Sequence, residues 1–170
     1  MKRLLNTTVI SLIFIIIGCS GNYKDEYKTV YKDLIKLSNQ STELSERVEK
    51  TWYDVIHNSR YFSYDEGKIK NTSSTNTALS WLFEEEDVVL AVVRIERQKK
   101  EIKGKISNLK NPPKKFETLY SDLIDIYSNV VEISNLAIKP SGSYISYNEK
   151  IEELESKINT KKSQIEVRLP

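Results

Sequence analysis

Between Tyr27 and Val55 the chain places Tyr27, Tyr31, Leu34, Leu37, Ser41, Leu44, Val48, Trp52 and Val55 at steps of three or four residues. A strand cannot use that spacing, because its side chains alternate between faces, whereas a helix returns to one face every 3.6 residues. The spacing predicts one long helix from about Tyr23 to Arg60. Its single apolar seam is of the kind that a bundle or a coiled coil buries.

Three further helices follow from the same reading. The second is expected from about Thr77 to Leu109, with Ile95, Ile102, Ile106 and Leu109 on its inner face. Val88 to Val93 (VVLAVV) is apolar on every side and is expected to be a buried helix turn. Asn111-Pro112-Pro113 ends that helix, since proline stops one helix and suits the first turn of the next. A third helix carries Phe116, Leu119, Tyr120, Leu123, Tyr127, Val130, Ile133 and Ala137. Pro140-Ser141-Gly142 marks a turn. A fourth helix carries Tyr147, Ile151, Leu154, Ile158, Ile165 and Leu169, with Ser146 and Glu149 spaced as a capping box at its start. Tyr61 to Asn76 is expected to be a loop. Short connections make neighbouring helices antiparallel. The expected fold is therefore all-α, an up-down-up-down bundle of three to four long helices without a sheet. Five glycines and four prolines in 170 residues suit long surface helices better than a turn-rich β protein.

The first nineteen residues read differently. Lys2 and Arg3 give a positive start, Val9 to Ile17 (VISLIFIII) is apolar except for Ser11, and Gly18-Cys19 follows. A basic segment, a short apolar segment and a small residue at the cut describe an export signal. The apolar run falls short of the roughly 20 residues that cross a bilayer. Ile16-Ile17-Gly18-Cys19 resembles the lipobox of bacterial lipoprotein precursors. The resemblance implies a diacylglyceryl group on the Cys19 thiol, palmitate-type acyl chains and cleavage just before Cys19 by the type II signal peptidase. It also implies that the remainder stays on the extracytoplasmic face of the cell membrane. If the host has two membranes, Ser20 is compatible with sorting to the outer one. Cys19 is the single cysteine, so no disulfide can form within the chain. The expected organisation is a signal peptide over 1–18, a lipidated cysteine and tether over 19–22, and a bundle over 23–170. Two acyl chains on one residue hold a protein firmly where one holds it marginally.

Removing 1–18 takes away two basic residues and leaves equal numbers of basic and acidic ones. The global basic footprint of a nucleic-acid binder is absent. Locally the balance is broken. Residues 94–115 carry Arg94, Arg97, Lys99, Lys100, Lys103, Lys105, Lys110, Lys114 and Lys115 against Glu96 and Glu101. Cations suit a helix C-terminus, so part of this run serves the helix itself. With the lipid at the start of the first helix, the Pro112-Pro113 turn returns toward the bilayer. Arg97, Lys99, Lys100, Lys103, Lys105, Lys114 and Lys115 are then candidates to face anionic headgroups or wall polymer.

At the opposite end fall Trp52, Tyr53, His57, Tyr61, Phe62, Tyr64, Trp81 and Phe83, including both tryptophans. Aromatic residues anchor interface hot spots, and they equally cap a bundle core. Trp52, Tyr53, Tyr61, Phe62, Tyr64 and Trp81 are the candidate partner-binding residues. Glu84-Glu85-Glu86-Asp87 reads as a solvated acidic turn, because adjacent helical residues cannot converge on one ion. His57, the single histidine, has no metal-ligating company in the sequence. No G-x-S-x-G, H-E-x-x-H, Cys/His pair or phosphate-cradling glycine loop occurs, so neither an enzyme nor a cofactor is expected.

Leu109-Lys110-Asn111-Pro112-Pro113-Lys114-Lys115-Phe116 and Leu136-Ala137-Ile138-Lys139-Pro140-Ser141-Gly142-Ser143 are similar to small, uncharacterised lipoproteins of Bacillus-type bacteria and their prophages. That resemblance implies a helical surface protein and no defined activity. The function expected is a non-enzymatic binding module at the cell surface that engages an unknown protein partner. The alternative is a structural, envelope-associated protein contacting membrane or wall polymer through the basic turn.

Overall fold

The computed structural model describes the backbone of residues 2–65 and 68–169, and the side chains of 22–61, 63 and 70–169. Its elements are α1 (Lys2–Asn58), β1 (Tyr61–Asp65), β2 (Lys68–Thr72), α2 (Thr75–Leu82), α3 (Glu86–Asn108), a 3-10 turn (Lys114–Phe116), α4 (Glu117–Ile138) and α5 (Tyr144–Arg168). The fold is an all-α helical bundle, as the spacing predicts. Among the described residues no helix is long and apolar enough to cross a membrane.

All nine seam positions of α1 from Tyr27 to Val55 are buried, Ser41 included. They pack chiefly on α4, which also carries the most extensive contacts of α5. The α1–α4 pair forms the centre, with α3 and α5 each packed against it. Tyr27, Leu34, Leu37, Leu123, Ile126, Ile133, Tyr147 and Leu154 are wholly enclosed. Among the described residues the core is drawn from between Tyr27 and Ile165.

Chain direction is fixed at both ends. The Tyr23 hydroxyl donates to the Leu109 carbonyl at 3.2 Å, and its ring lies 5.0 Å from that of Phe116. The Pro112-Pro113 turn therefore sits beside the start of the bundle portion of α1. At the far end Trp52 meets Tyr147 edge-on, with ring centroids 5.0 Å apart. Near the first end Asp122, 4% exposed, is clamped by Lys161 at 2.8 Å and Arg168 at 2.5 Å. A carboxylate so enclosed is tolerable only when paired in this way.

Four details depart from expectation. The predicted loop contains a two-stranded antiparallel hairpin, with Tyr61 opposite Thr72 and Asp65 opposite Lys68. A lone hairpin is marginal in water; this one packs against α1 and α2. The predicted second helix is broken at Phe83–Glu85 into α2 and α3. The VVLAVV segment is not a buried turn: Val88 is enclosed, but Val89, Leu90 and Val93 are 44%, 54% and 60% exposed. The capping box of α5 is built by Ser143 with Ser146, one turn earlier than Ser146 with Glu149. Gly142 precedes it at φ +91, and a Cβ there would lie 2.8 Å from the Ser146 Oγ. The cap therefore needs glycine at that position.

Candidate functional site

The aromatic residues at the end away from Tyr23 divide into core and surface. Trp52 is 6% exposed and belongs to the core, so it is withdrawn from the candidate binding set. Tyr61 is half-buried; its hydroxyl donates to Glu85 Oε1 at 3.1 Å, and burial, with Glu85 beside it, pushes its pKa up. Trp81 is half-buried with the Lys70 ammonium 6.0 Å from its ring centroid. The side chains of Phe62 and Tyr64 lie outside the described residues, and so does that of Cys19.

What reaches solvent is a patch built on α1 and the start of α5. Tyr53 is 47% exposed, and its ring lies 4.4 Å from that of His57 at 34°. His57 in turn meets Tyr144 at 6.2 Å and 71°. Ile56 and Ile145, 48% and 67% exposed, belong to the same two helix ends. Ile56, Tyr144 and Ile145 were not among the sequence candidates. A signal for the first was present: the spacing that turns Trp52 and Val55 inward turns Tyr53 and Ile56 outward. Likewise Ile145 stands two positions from inward-facing Tyr147 and hence on the other side of α5.

The acidic turn is held by one cation. Arg47 reaches Glu85 Oε2 at 2.5 Å and Asp87 Oδ2 at 2.7 Å, which keeps the Asp87 carboxyl below the usual carboxylate range. Beside Arg47 a cleft of about 400 Å³ runs under β1, lined in part by Asp54, Arg60 and Tyr61. Asp54 is already engaged by Lys50 at 3.4 Å and Asn58 at 3.0 Å. Among the described residues no group of three or more His, Cys, Asp or Glu could hold a metal ion.

The basic run is distributed along α3 and is not gathered at the Pro112-Pro113 turn. Two of its cations are spent within the molecule. Lys99 bonds Asn135 at 2.6 Å and Glu96 at 2.9 Å. Lys105 bonds Asp33 at 2.6 Å, and this contact pushes its pKa up. Lys99 is turned toward α4, with its side chain 15% exposed, whereas Lys105 stays about half exposed in its pair with Asp33. Arg97 is 3.7 Å from Glu101, both well exposed, a pairing worth little in water. Lys115 lies 5.2 Å above the Phe116 ring. Arg94, Lys100, Lys103, Lys110 and Lys114 are exposed, and none forms an ion pair among the described residues.

Comparison with protein-family models, with curated proteins and with solved structures gives no match to this chain.

Proposed function

We propose that the chain is the precursor of a lipid-anchored extracytoplasmic protein, cut before Cys19, whose bundle is a non-enzymatic binding module for another protein at the cell surface. The ordered arrangement Lys2-Arg3, apolar run and Ile16-Ile17-Gly18-Cys19 supports the anchor. The observation that carries the binding role is the Tyr53–His57–Tyr144 ring cluster, with Tyr53 and His57 exposed and Tyr144 half-buried beside them. It stands at the end of the bundle opposite Tyr23, and therefore opposite the anchor. Aromatic side chains cost little conformational entropy to immobilise and dominate binding energy where they cluster.

Two measurements test the reading. Metabolic labelling with palmitate should mark the wild-type chain and leave Cys19→Ala unlabelled; equal labelling of both ends the lipoprotein reading. A photo-crosslinking amino acid placed at Tyr53 or Ile56 in intact cells should give one discrete adduct. The same probe at Ser156, on the outer surface of α5, should give none. Adducts of equal yield at all three positions, or at none, would overturn the assignment of this patch.

A further inference from the structure

The outward face of α3 combines two features that the sequence presents separately. Val88, Ile95, Ile102 and Ile106 point into the core. Val89, Val93, Arg97, Lys100 and Gly104 follow one another at steps of four or three on the opposite side. Leu90, Arg94 and Lys103 flank that line. After the exposed Glu86 the face is aliphatic and roughly half exposed at Val89, Leu90 and Val93, and the next turns are predominantly cationic, with Glu101, paired to Arg97, the acid among them. A Cβ added at Gly104 would meet no atom within 4 Å, so the face is open at that position.

The shape of this face selects its partner. It is a convex ridge. The groove beside Leu90, between α1 and α3, is about 240 Å³ and cannot seat a helix about 10 Å across. A deformable anionic surface matches a convex ridge that mixes short aliphatic side chains with arginine and lysine, as interfacial helices do. The charge distribution across the bundle points the same way. The first half of α5, which packs on the α1–α4 pair and not substantially on α3, exposes Glu149, Glu152 and Glu153.

We propose that the outward face of α3 docks on an anionic lipid surface. Val89, Leu90 and Val93 enter the headgroup layer, while Arg94, Arg97, Lys100 and Lys103 pair with lipid phosphates. The bundle then lies along the membrane with α5 uppermost, and the Tyr53–Tyr144 patch remains uncovered. This pose needs neither the acyl anchor nor the protein partner, so it can fail while the proposed function stands.

The test uses residues 20–170, which contain the core formed by the described residues, after circular dichroism has shown that they fold cooperatively. Flotation with vesicles of equal parts phosphatidylglycerol and phosphatidylcholine should carry the protein, and pure phosphatidylcholine vesicles should not. Two variants, Leu90→Ser/Val93→Ser and Arg97→Gln/Lys100→Gln/Lys103→Gln, should each lower the vesicle partition coefficient at least tenfold, the first by removing apolar insertion and the second by removing three basic groups that act together near the anionic surface. Lys114→Gln/Lys115→Gln should bind as wild type. An environment-sensitive dye on Val93→Cys should shift to the blue with anionic vesicles, and the same dye on Ser156→Cys should not. Absence of flotation, equal flotation with neutral vesicles, or loss in the Lys114/Lys115 variant with the α3 variants unaffected would each overturn the proposal.

Discussion

In the middle of the core Ser41 of α1 donates its hydroxyl proton to Ser134 of α4, with the two oxygens 2.8 Å apart. The direction follows from a second bond. The Ser134 hydroxyl already donates to the Val130 carbonyl at 2.7 Å, one helical turn back. Both residues are completely enclosed, so neither oxygen has water as a fallback.

The asymmetry has a measurable consequence. Ser41→Ala leaves Ser134 with its bond to Val130, and should cost under about 1 kcal/mol. Ser134→Ala strands the buried Ser41 hydroxyl and should cost about 1–3 kcal/mol, the penalty for an unsatisfied buried polar group. The double variant should be no worse than Ser134→Ala alone. Urea denaturation of residues 20–170 supplies the comparison; a cost for Ser41→Ala equal to or above that for Ser134→Ala would contradict this direction.

Neighbouring aromatic residues on α1 should separate just as clearly. Trp52→Ala empties a site packed against Tyr147 and should cost about 3–5 kcal/mol. Tyr53→Ala, on the outer side, should stay within about 0.5 kcal/mol while weakening the proposed partner contact. Thermal melting followed by circular dichroism distinguishes them. A comparable loss of stability for both would place Tyr53 in the core.

Stability should fall at alkaline pH through the buried tyrosines. Burial pushes Tyr23 from its ordinary 10.0 up to about 12, with Tyr120 adding to the effect. Burial does the same for Tyr31, raised to about 12 with Glu166 contributing. Tyr27 and Tyr147 move in the same direction for the same first cause. A group with a raised folded pKa contributes fully below its unfolded value, and the contribution is lost as pH rises through the folded value. The tyrosine contribution should hold to about pH 10 and decline between there and about pH 12. Phenolate absorbance should show late-titrating groups whose ionisation coincides with loss of helix. Ionisation of all ten tyrosines near pH 10 with the helix intact would contradict the burial.

The parts of the fold that could be read in advance are those governed by period. The seam from Tyr27 to Val55 is legible because polar residues separate its members, so each apolar position specifies a direction. VVLAVV is not, because a run apolar on every side has no direction of its own. Its burial depends on which helices surround it, and α3 has neighbours on one side only. At the break, backbone bonds from Glu84 to Trp81 and from Glu85 to Leu82 close the turn, and Arg47 of α1 reaches Glu85 and Asp87 from about forty positions away, a contact that no local signal announces. The hairpin had a weak signal, Gly67 between two short runs, outweighed by the polar character of Ser63, Lys68 and Lys70. Composition located the aromatic end and the basic helix. That Trp52 packs inward while Tyr53 faces out, or that Lys99 bonds Asn135 while Lys100 faces solvent, depends on what each side chain meets in the folded bundle.

The contacts that close the core have a temporal consequence. Tyr27 bonds Leu119, and Ser41 bonds Ser134, across 92 and 93 positions of chain, whereas α4 and α5 pair through a short turn. Local pairs form sooner than distant ones, because closing a long loop costs more chain entropy. On the ribosome α1 emerges first; α2 and α3 can pack on it early, but the central α1–α4 layer cannot close until α4 has been made. Until then the core stays incomplete. A chain destined to pass through a membrane before it folds, as the proposed function requires, has its last-formed contacts in the right place.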